Sequence, residues 1–355
     1  MQPSGQIPVA EIDGRVFGQS NDILFQLEQA FPKHKSLQPP GGTEKRAQEL
    51  LRLERTIFSA WLSWLTSSPR NKQQFVETLQ RVEDALKNSP GSFFMGDDIS
   101  IVDIQFAPFL ERMAASMLYF KGFEIRVSRG QSSAYPNINA WFDAMERLDS
   151  YRLTKSDYYT HCWDLPPQLG GCIEETAGER FRKAINGERS LDNSQGSWEI
   201  PLQSDNGGVE PDWEWASKNC NLEATERISA NHEAIVKFAA RGAGQKALSM
   251  FSAPLADPTA TPSTAVQISV DTVLRVVALS MIESETALMP VLEDVVRTIH
   301  SNGGQDFSSG VVDSLTYLRD RIGVPRDMKL PAARVLRAHL NWAIGRLLEE
   351  QSKSG

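Results

Sequence analysis

Apolar residues recur at helical spacing over most of this chain, and strand-like spacing is confined to its start. Leu50, Leu53, Ile57, Trp61, Trp64 and Leu65 lie three and four residues apart, which predicts one long amphipathic helix ending before Pro69. Phe75, Leu79, Val82 and Leu86 predict a second helix. A third begins at Ser100, and a fourth follows Tyr135-Pro136 with Ile138, Trp141, Phe142 and Met145 as its apolar stripe. Four helices joined by short loops predict a bundle. Nearer the amino end, the run from Gln6 to Ile12, the pair Asp13-Gly14 and then Val16-Phe17 read as strand, turn and strand. Both central residues of a type I′ turn need positive φ, which Asp and Gly tolerate. A helix to about Ala30 follows, with Ile23, Leu24, Leu27 and the later Phe31 on one face and Asp22 in its first turn, before Pro32 and Pro39-Pro40-Gly41-Gly42 mark a linker.

Past residue 165 the pattern weakens. Gly170-Gly171, Asn186-Gly187, Gly207-Gly208 and Pro211 punctuate a polar stretch that holds Trp198, Trp213 and Trp215, so a linker strapped over the helices is expected. Helical spacing then returns. Ile228, His232, Ile235 and Ala239 predict one helix, Val273 to Met281 a second, and Leu288 to Ile299 a third. Val311, Leu315 and Leu318, and finally Ala333 to Leu347, predict two more. Pro254, Pro258 and Pro262 separate members of this second helical unit, and no repeat of fixed period is present. The expected plan is a β-β-α piece over 1–32, a linker over 33–43, a helical domain over 44–165, an irregular strap over 166–221 and a helical extension over 222–355.

With 355 residues, 41% of them hydrophobic and 23% charged, the composition is that of a globular protein. The formal net charge of -8 argues against a nucleic-acid partner, whose phosphates require clustered Lys and Arg. No apolar run approaches a membrane span, and the first residues lack the basic and apolar regions of a signal peptide. A soluble protein of a reducing compartment is expected. Cys162, Cys172 and Cys220 form an odd set without CxxC spacing, so neither a disulfide framework nor a zinc site is encoded, and no metal is expected.

The sharpest local signal is Ile99-Ser100-Ile101-Val102-Asp103-Ile104. It reads as a structural cap: the Ser100 oxygen accepts from the Asp103 N–H, the Asp103 carboxylate reaches back to the Ser100 N–H, and Ile99 packs on Ile104. His161 beside Cys162 is a poor nucleophile and base pair, because adjacent side chains rarely face each other. His232 and His339 read as satisfied core histidines. Arg319-Asp320-Arg321 with Arg326-Asp327 reads as a salt-bridge network before an anion site, since the signs alternate. Trp61 and Trp64 read as core before any role in an apolar substrate pocket.

The string Gln6-Ile7-Pro8-Val9, then Asp13-Gly14, then Gln19-Ser20-Asn21-Asp22-Ile23, resembles the third strand, hairpin and third helix of the thioredoxin-like half of glutathione S-transferases. Phe94-Met95-Gly96-Asp97 running into Ser100-Ile101-Val102-Asp103, and Pro136 with Ile138, Trp141 and Met145, resemble that family's all-helical domain. The resemblance covers about residues 6–155. The segments Tyr158-Tyr159-Thr160-His161, Asp164 to Gln168, Tyr317 to Asp327 and Arg334 to Trp342 look like a plant and algal, chloroplast-associated group with a helical extension. The implied fold is mainly α: a truncated thioredoxin-like β-β-α segment, a transferase-type helical bundle and a second helical C-terminal unit.

The resemblance implies a cis bond before Pro8, with the Ile7 backbone facing the cysteinyl part of glutathione and Gln19 and Ser20 holding its γ-glutamyl carboxylate. The physical basis is the amino end of a helix, where unpaired N–H groups favour an anion. Taken alone, Gln19 and Ser20 read as a cap; beside Ile7-Pro8 the binding reading is preferred. Glutathione is implied as co-substrate with no other cofactor, an apolar electrophile as second substrate, chloroplast or cytoplasm as compartment and, since the family is commonly dimeric, a homodimer. One departure matters. The family's thiolate-activating Tyr, Ser or Cys precedes the Ile-Pro strand, which this chain reaches within six residues, so turnover is expected only with residues further upstream. A non-catalytic binding or scaffold protein acting through its helices is the competing expectation.

Overall fold

A computed structural model describes residues 7–67, 69–128, 130–203, 209–211, 219–244 and 259–353. The chain forms two compact units. One takes Met1–Trp64, Pro69–Glu111 and Ser133–Arg147; the other takes Leu65–Ser68, Arg112–Ser132 and Leu148–Gly355.

The first unit opens with the hairpin. Strands β1 (Ala10–Ile12) and β2 (Arg15–Phe17) pair antiparallel, Ala10 opposite Phe17 and Ile12 opposite Arg15. Asp13 and Gly14 close the turn with φ of 49° and 74°, as the type I′ reading requires. Helix α1 (Ser20–Ala30) packs on β1, and Ile23 is the one buried member of its stripe. Phe31 stays 58% exposed, because a sheet only two strands wide covers one turn of a helix and little more.

Helices α2 (Glu44–Leu65), α3 (Lys72–Lys87), α4 (Ile101–Lys121) and α5 (Pro136–Met145) are the four expected from periodicity. The first unit's core gathers Ile57, Trp61, Trp64, Phe75, Leu79, Phe94, Phe106 and Trp141, all essentially without exposed surface. Helix α5 starts at a proline, which tolerates that position because its missing N–H would have no helical partner. The next amides are capped from α3: the buried Glu83 carboxylate accepts from the N–H groups of Asn137 and Ile138, each at 2.9 Å.

In the second unit, α6 (Asp149–Thr154) and α7 (Tyr158–Leu169) come first. Asp157 caps α7 by accepting from the Thr160 N–H at 2.9 Å, and Gly170 ends it at a φ of 74°. The stretch expected to be an irregular strap holds more structure than its pattern suggested. Helix α7 runs on to Leu169, a 3-10 turn spans Thr176–Gly178, and α8 spans Glu179–Ile185. Two turns with three buried apolar residues, Phe181, Ala184 and Ile185, are too short to register as a period. Trp198 is buried as the strap reading required; Trp213, Trp215, Gly207-Gly208, Pro254, Pro258 and Gln6 lie outside the described residues.

The remaining helices among the described residues are α9 (Cys220–Ala230), α10 (His232–Ala239), α11 (Gln267–Ser280), α12 (Glu285–Arg319) and α13 (Leu330–Lys353). They share one apolar core that includes Ile228, Val236, Val277, Leu292, Leu315 and Leu340. The helix expected from Ile228 to Ala239 is two helices, broken at Asn231, whose φ of -124° and ψ of 29° are not helical. Helix α12 is likewise interrupted at Gly304, where φ is 67°. The two periods expected there, Leu288 to Ile299 and Val311 to Leu318, fall on either side of the break.

Candidate functional site

The hairpin register brings the two halves of the candidate site together. With Ala10 opposite Phe17, Pro8 and Val9 enter β1 at the same end from which Gly18, Gln19 and Ser20 leave β2. The bond between Ile7 and Pro8 is cis, as the resemblance implied. Ile7, Pro8, Gln19 and Ser20 are all exposed, so this end of the hairpin is open to solvent.

Gln19 stands immediately before α1 in extended conformation, and its side chain caps no amide. The first helical bond runs from the Ile23 N–H to the Gln19 carbonyl at 3.0 Å, which leaves the amides of Ser20, Asn21 and Asp22 outside the helical ladder. Three such N–H groups together with the positive end of the helix dipole favour a carboxylate. Asp22, in the same first turn, competes for that potential.

Ser100 and Asp103 lie in a different place and do different work. Asp103 has no exposed surface, and its carboxylate collects four donors. Oδ2 accepts from the Ser100 N–H at 2.9 Å and the Ser100 hydroxyl at 2.8 Å; Oδ1 accepts from the Phe94 N–H and the Trp141 indole N–H, each at 3.0 Å. The reach back to the Ser100 N–H is the one expected. The serine differs, because its hydroxyl donates to Asp103 where it was expected to accept from the Asp103 N–H. A carboxylate with no surface and four donors is a structural centre, and a ligand has no approach to it.

None of the other flagged groups is an activated nucleophile. Burial raises the Cys162 thiol well above its ordinary value, and the nearby Asp157 adds to the rise. Burial also pushes Cys172 up to about 12, against the pull of Lys121. A thiol so raised is not a thiolate at neutral pH. Trp61 and Trp64 are only 1% exposed, so neither offers a face to a second substrate. Arg319 pairs with Asp320 at 2.8 Å and Arg326 with Asp327 at 2.7 Å, which is the salt-bridge reading. Among the described residues no cluster of metal-ligating side chains occurs, and no helix is long and apolar enough to cross a membrane.

The two histidines part company. His339 is buried on α13, where its Nδ1 lies 2.8 Å from the Val335 carbonyl, and burial lowers its pKa below the ordinary 6.5. As pH falls, the unfolded chain therefore takes up this proton before the folded one, and stability is lost as pH drops below the unfolded value. His339→Gln is expected to flatten the decline in unfolding free energy from about pH 7 to about pH 5 relative to the unsubstituted chain. Parallel urea titrations at the two pH values measure it, and parallel slopes would refute it. His232 is not a core residue. Its Nε2 meets Asp271 Oδ1 at 2.5 Å on the wall of a groove between helices.

Sequence reasoning missed the buried Arg337. Its guanidinium bonds Asp157 at 2.8 Å and the Ile322 carbonyl at 2.7 Å, and stacks 4.6 Å from the Tyr159 ring and 4.8 Å from the Trp198 ring. No local pattern signals this, since the pair spans 180 residues.

The profile of the family described as "Glutathione S-transferase, C-terminal domain" matches residues 66–144. The chain is similar to "Glutathione S-transferase L1" of Arabidopsis thaliana, at 28% identity over 44% of this chain and 63% of that protein. It is similar to "Protein IN2-1 homolog A" of Oryza sativa subsp. japonica at 30% identity, over 43% of this chain and 60% of the other. A third relative, "Glutathione S-transferase L2, chloroplastic" of Arabidopsis thaliana, is 30% identical over 43% of this chain and 50% of its own length. The chain thus spans about three fifths of the first two relatives and half of the third.

Proposed function

We propose that this protein, whose residues 66–144 match the glutathione S-transferase C-terminal domain family, is transferase-like and binds glutathione at Ile7, Pro8, Gln19 and Ser20. The observation that carries the reading is the shared end of the hairpin, where the Ile7-Pro8 backbone and the uncapped start of α1 converge. In this reading the Ile7 backbone pairs with the cysteinyl amide and carbonyl of glutathione. The γ-glutamyl carboxylate sits on the free amides of α1, with the Ser20 hydroxyl as a further donor.

The reaction we assign to the whole protein is attack of the bound thiolate on an apolar electrophile, forming a thioether as the leaving group departs, or its two-electron reduction by two glutathiones that leave as the disulfide, with the activating group outside the residues that hold the peptide. A chloroplast or cytoplasmic location goes with this reading, supported by the printed name of one relative. The second reading, a binding or scaffold protein that acts through its helices, is favoured by one observation: α9 to α13 close a core of their own.

Calorimetry with glutathione tests the first reading. Ser20→Ala is expected to weaken binding about tenfold or more, the effect of one hydrogen bond to a charged group. Glutathione that releases no heat with the unsubstituted chain would remove the reading, and an unchanged affinity in Ser20→Ala would move the carboxylate elsewhere.

A further inference from the structure

Helix α1 carries the cradle proposed for the glutathione carboxylate at its start, and its own packing does little to hold it in place. Its 11 residues are too few for a stable isolated helix in water, so α1 depends on what it touches. Ile23 is its one buried residue, while Leu27 and Phe31, one and two turns later on the same face, stay 39% and 58% exposed. A helix pinned at one point near its start can tilt about that point unless its far end is tied.

Glu28 ties it. This residue sits in the last turn of α1, where the negative end of the helix dipole disfavours a carboxylate, so its charge does not serve the helix itself. Its Oε2 accepts from the Leu37 N–H at 2.9 Å and from the Ser36 hydroxyl at 3.2 Å. Leu37 passes the tie on, since its carbonyl accepts from the Ile101 N–H at 2.8 Å. Ile101 opens α4 and follows Ser100, which the buried Asp103 carboxylate holds. The far end of α1 is thereby fastened, through Ser36 and Leu37, to the Asp103 network. The neighbouring ion pair of Lys35 with Asp98 is exposed on both sides and adds little.

We propose that Glu28 is a positioning residue for the candidate glutathione site: it holds the start of α1, about 12 Å away along the helix, against the Ile7-Pro8 edge, so that both halves of the peptide are met at once. The inference rests on the glutathione reading and adds to it a residue that touches no ligand. Without the tie α1 samples other tilts, and glutathione binds only the fraction of molecules in which the cradle faces Pro8. Such coupling is reciprocal, so bound glutathione also holds the Glu28 tie closed.

Calorimetry with glutathione compares the unsubstituted chain with Glu28→Ala and Glu28→Gln. Glu28→Ala is expected to weaken binding about threefold to tenfold, as the fraction of correctly placed α1 falls by that factor. Glu28→Gln keeps an acceptor oxygen for Leu37 and is expected to stay within about twofold of the unsubstituted chain. Hydrogen exchange on the unsubstituted chain gives the second readout. Glutathione is expected to slow the Leu37 amide about threefold or more, which a contact serving the linker alone would not show. Unchanged affinity in Glu28→Ala, an equal loss in Glu28→Gln, or a Leu37 amide indifferent to bound glutathione overturns the proposal. Absence of heat with the unsubstituted chain removes the glutathione reading and this inference with it, whereas heat that is the same in all three chains removes this inference alone.

Discussion

Asp103→Asn is expected to lower the unfolding free energy by about 3 to 5 kcal/mol, the combined effect of two lost hydrogen bonds to a charged acceptor. The substitution keeps the shape and turns one acceptor oxygen into a donor. Whichever way the amide lies, its NH₂ faces two donors: either the Ser100 N–H and hydroxyl, or the Phe94 N–H and the Trp141 indole. Both pairs are buried, so no water replaces the lost acceptor. Ser100→Ala deletes only the hydroxyl bond and is expected to cost about 1.5 to 2 kcal/mol, the low end for one hydrogen bond to a charged acceptor. Urea denaturation of the two variants measures the ratio, and a loss in Asp103→Asn no larger than that in Ser100→Ala would show that the carboxylate is not the hub of this network. The affinity for glutathione is expected to stay unchanged in both wherever the fold is retained.

The second large effect is expected at α13. Arg337→Met should destabilise the second unit by about 3 to 5 kcal/mol, because it leaves the Asp157 carboxylate buried without its counter-ion. Both side chains are almost without exposed surface, at 1% and 2%, so solvent does not screen the loss. Arg337→Lys is expected to recover little. An ammonium has no planar fork to bridge Asp157 and the Ile322 carbonyl while stacking on Tyr159 and Trp198. Asp157→Asn retains a capping oxygen for Thr160 and removes the charge. Combined with Arg337→Met it should lose less than the sum of the two single effects, by about 1.5 kcal/mol or more. Additive losses would show that the pair is not coupled.

These two centres were unequally visible beforehand. Ser100 and Asp103 lie three residues apart, so the reach of the carboxylate to the Ser100 N–H followed from helix geometry. Its other oxygen serves Phe94 and Trp141, and the indole arrives from a helix 38 residues away. The Arg337 pair left no trace at all, since a buried arginine and an exposed one look alike in a helical period. Glu83 makes the same point at a helix start: α5 lacks a local cap because α3 provides one.

The candidate glutathione residues were named from a resemblance, and the hairpin register sets them at one end of the hairpin. A two-residue turn at Asp13-Gly14 fixes which residues face each other, and so sets Pro8 beside the start of α1. The groove in the helical extension had no such herald. His232 sits at helical spacing with Ile228, Ile235 and Ala239, and that spacing assigned it to a core. The break at Asn231 turns α10 away from the line of α9 and sets His232 against Asp271 instead.

The chain's own pattern determined most of the elements: where the longer helices run, that one short hairpin precedes them, and which faces of those helices are apolar. Those are local consequences of periodicity, turn residues and caps, each decided within about one or two helical turns. Tertiary structure alone decided which polar groups end up without water and who satisfies them, as at Asp103, Glu83 and Arg337. It also decided where packing stops short and leaves a groove. Partners 38, 54 and 180 residues distant leave no local period, because burial is a property of what packs opposite and not of the residue itself.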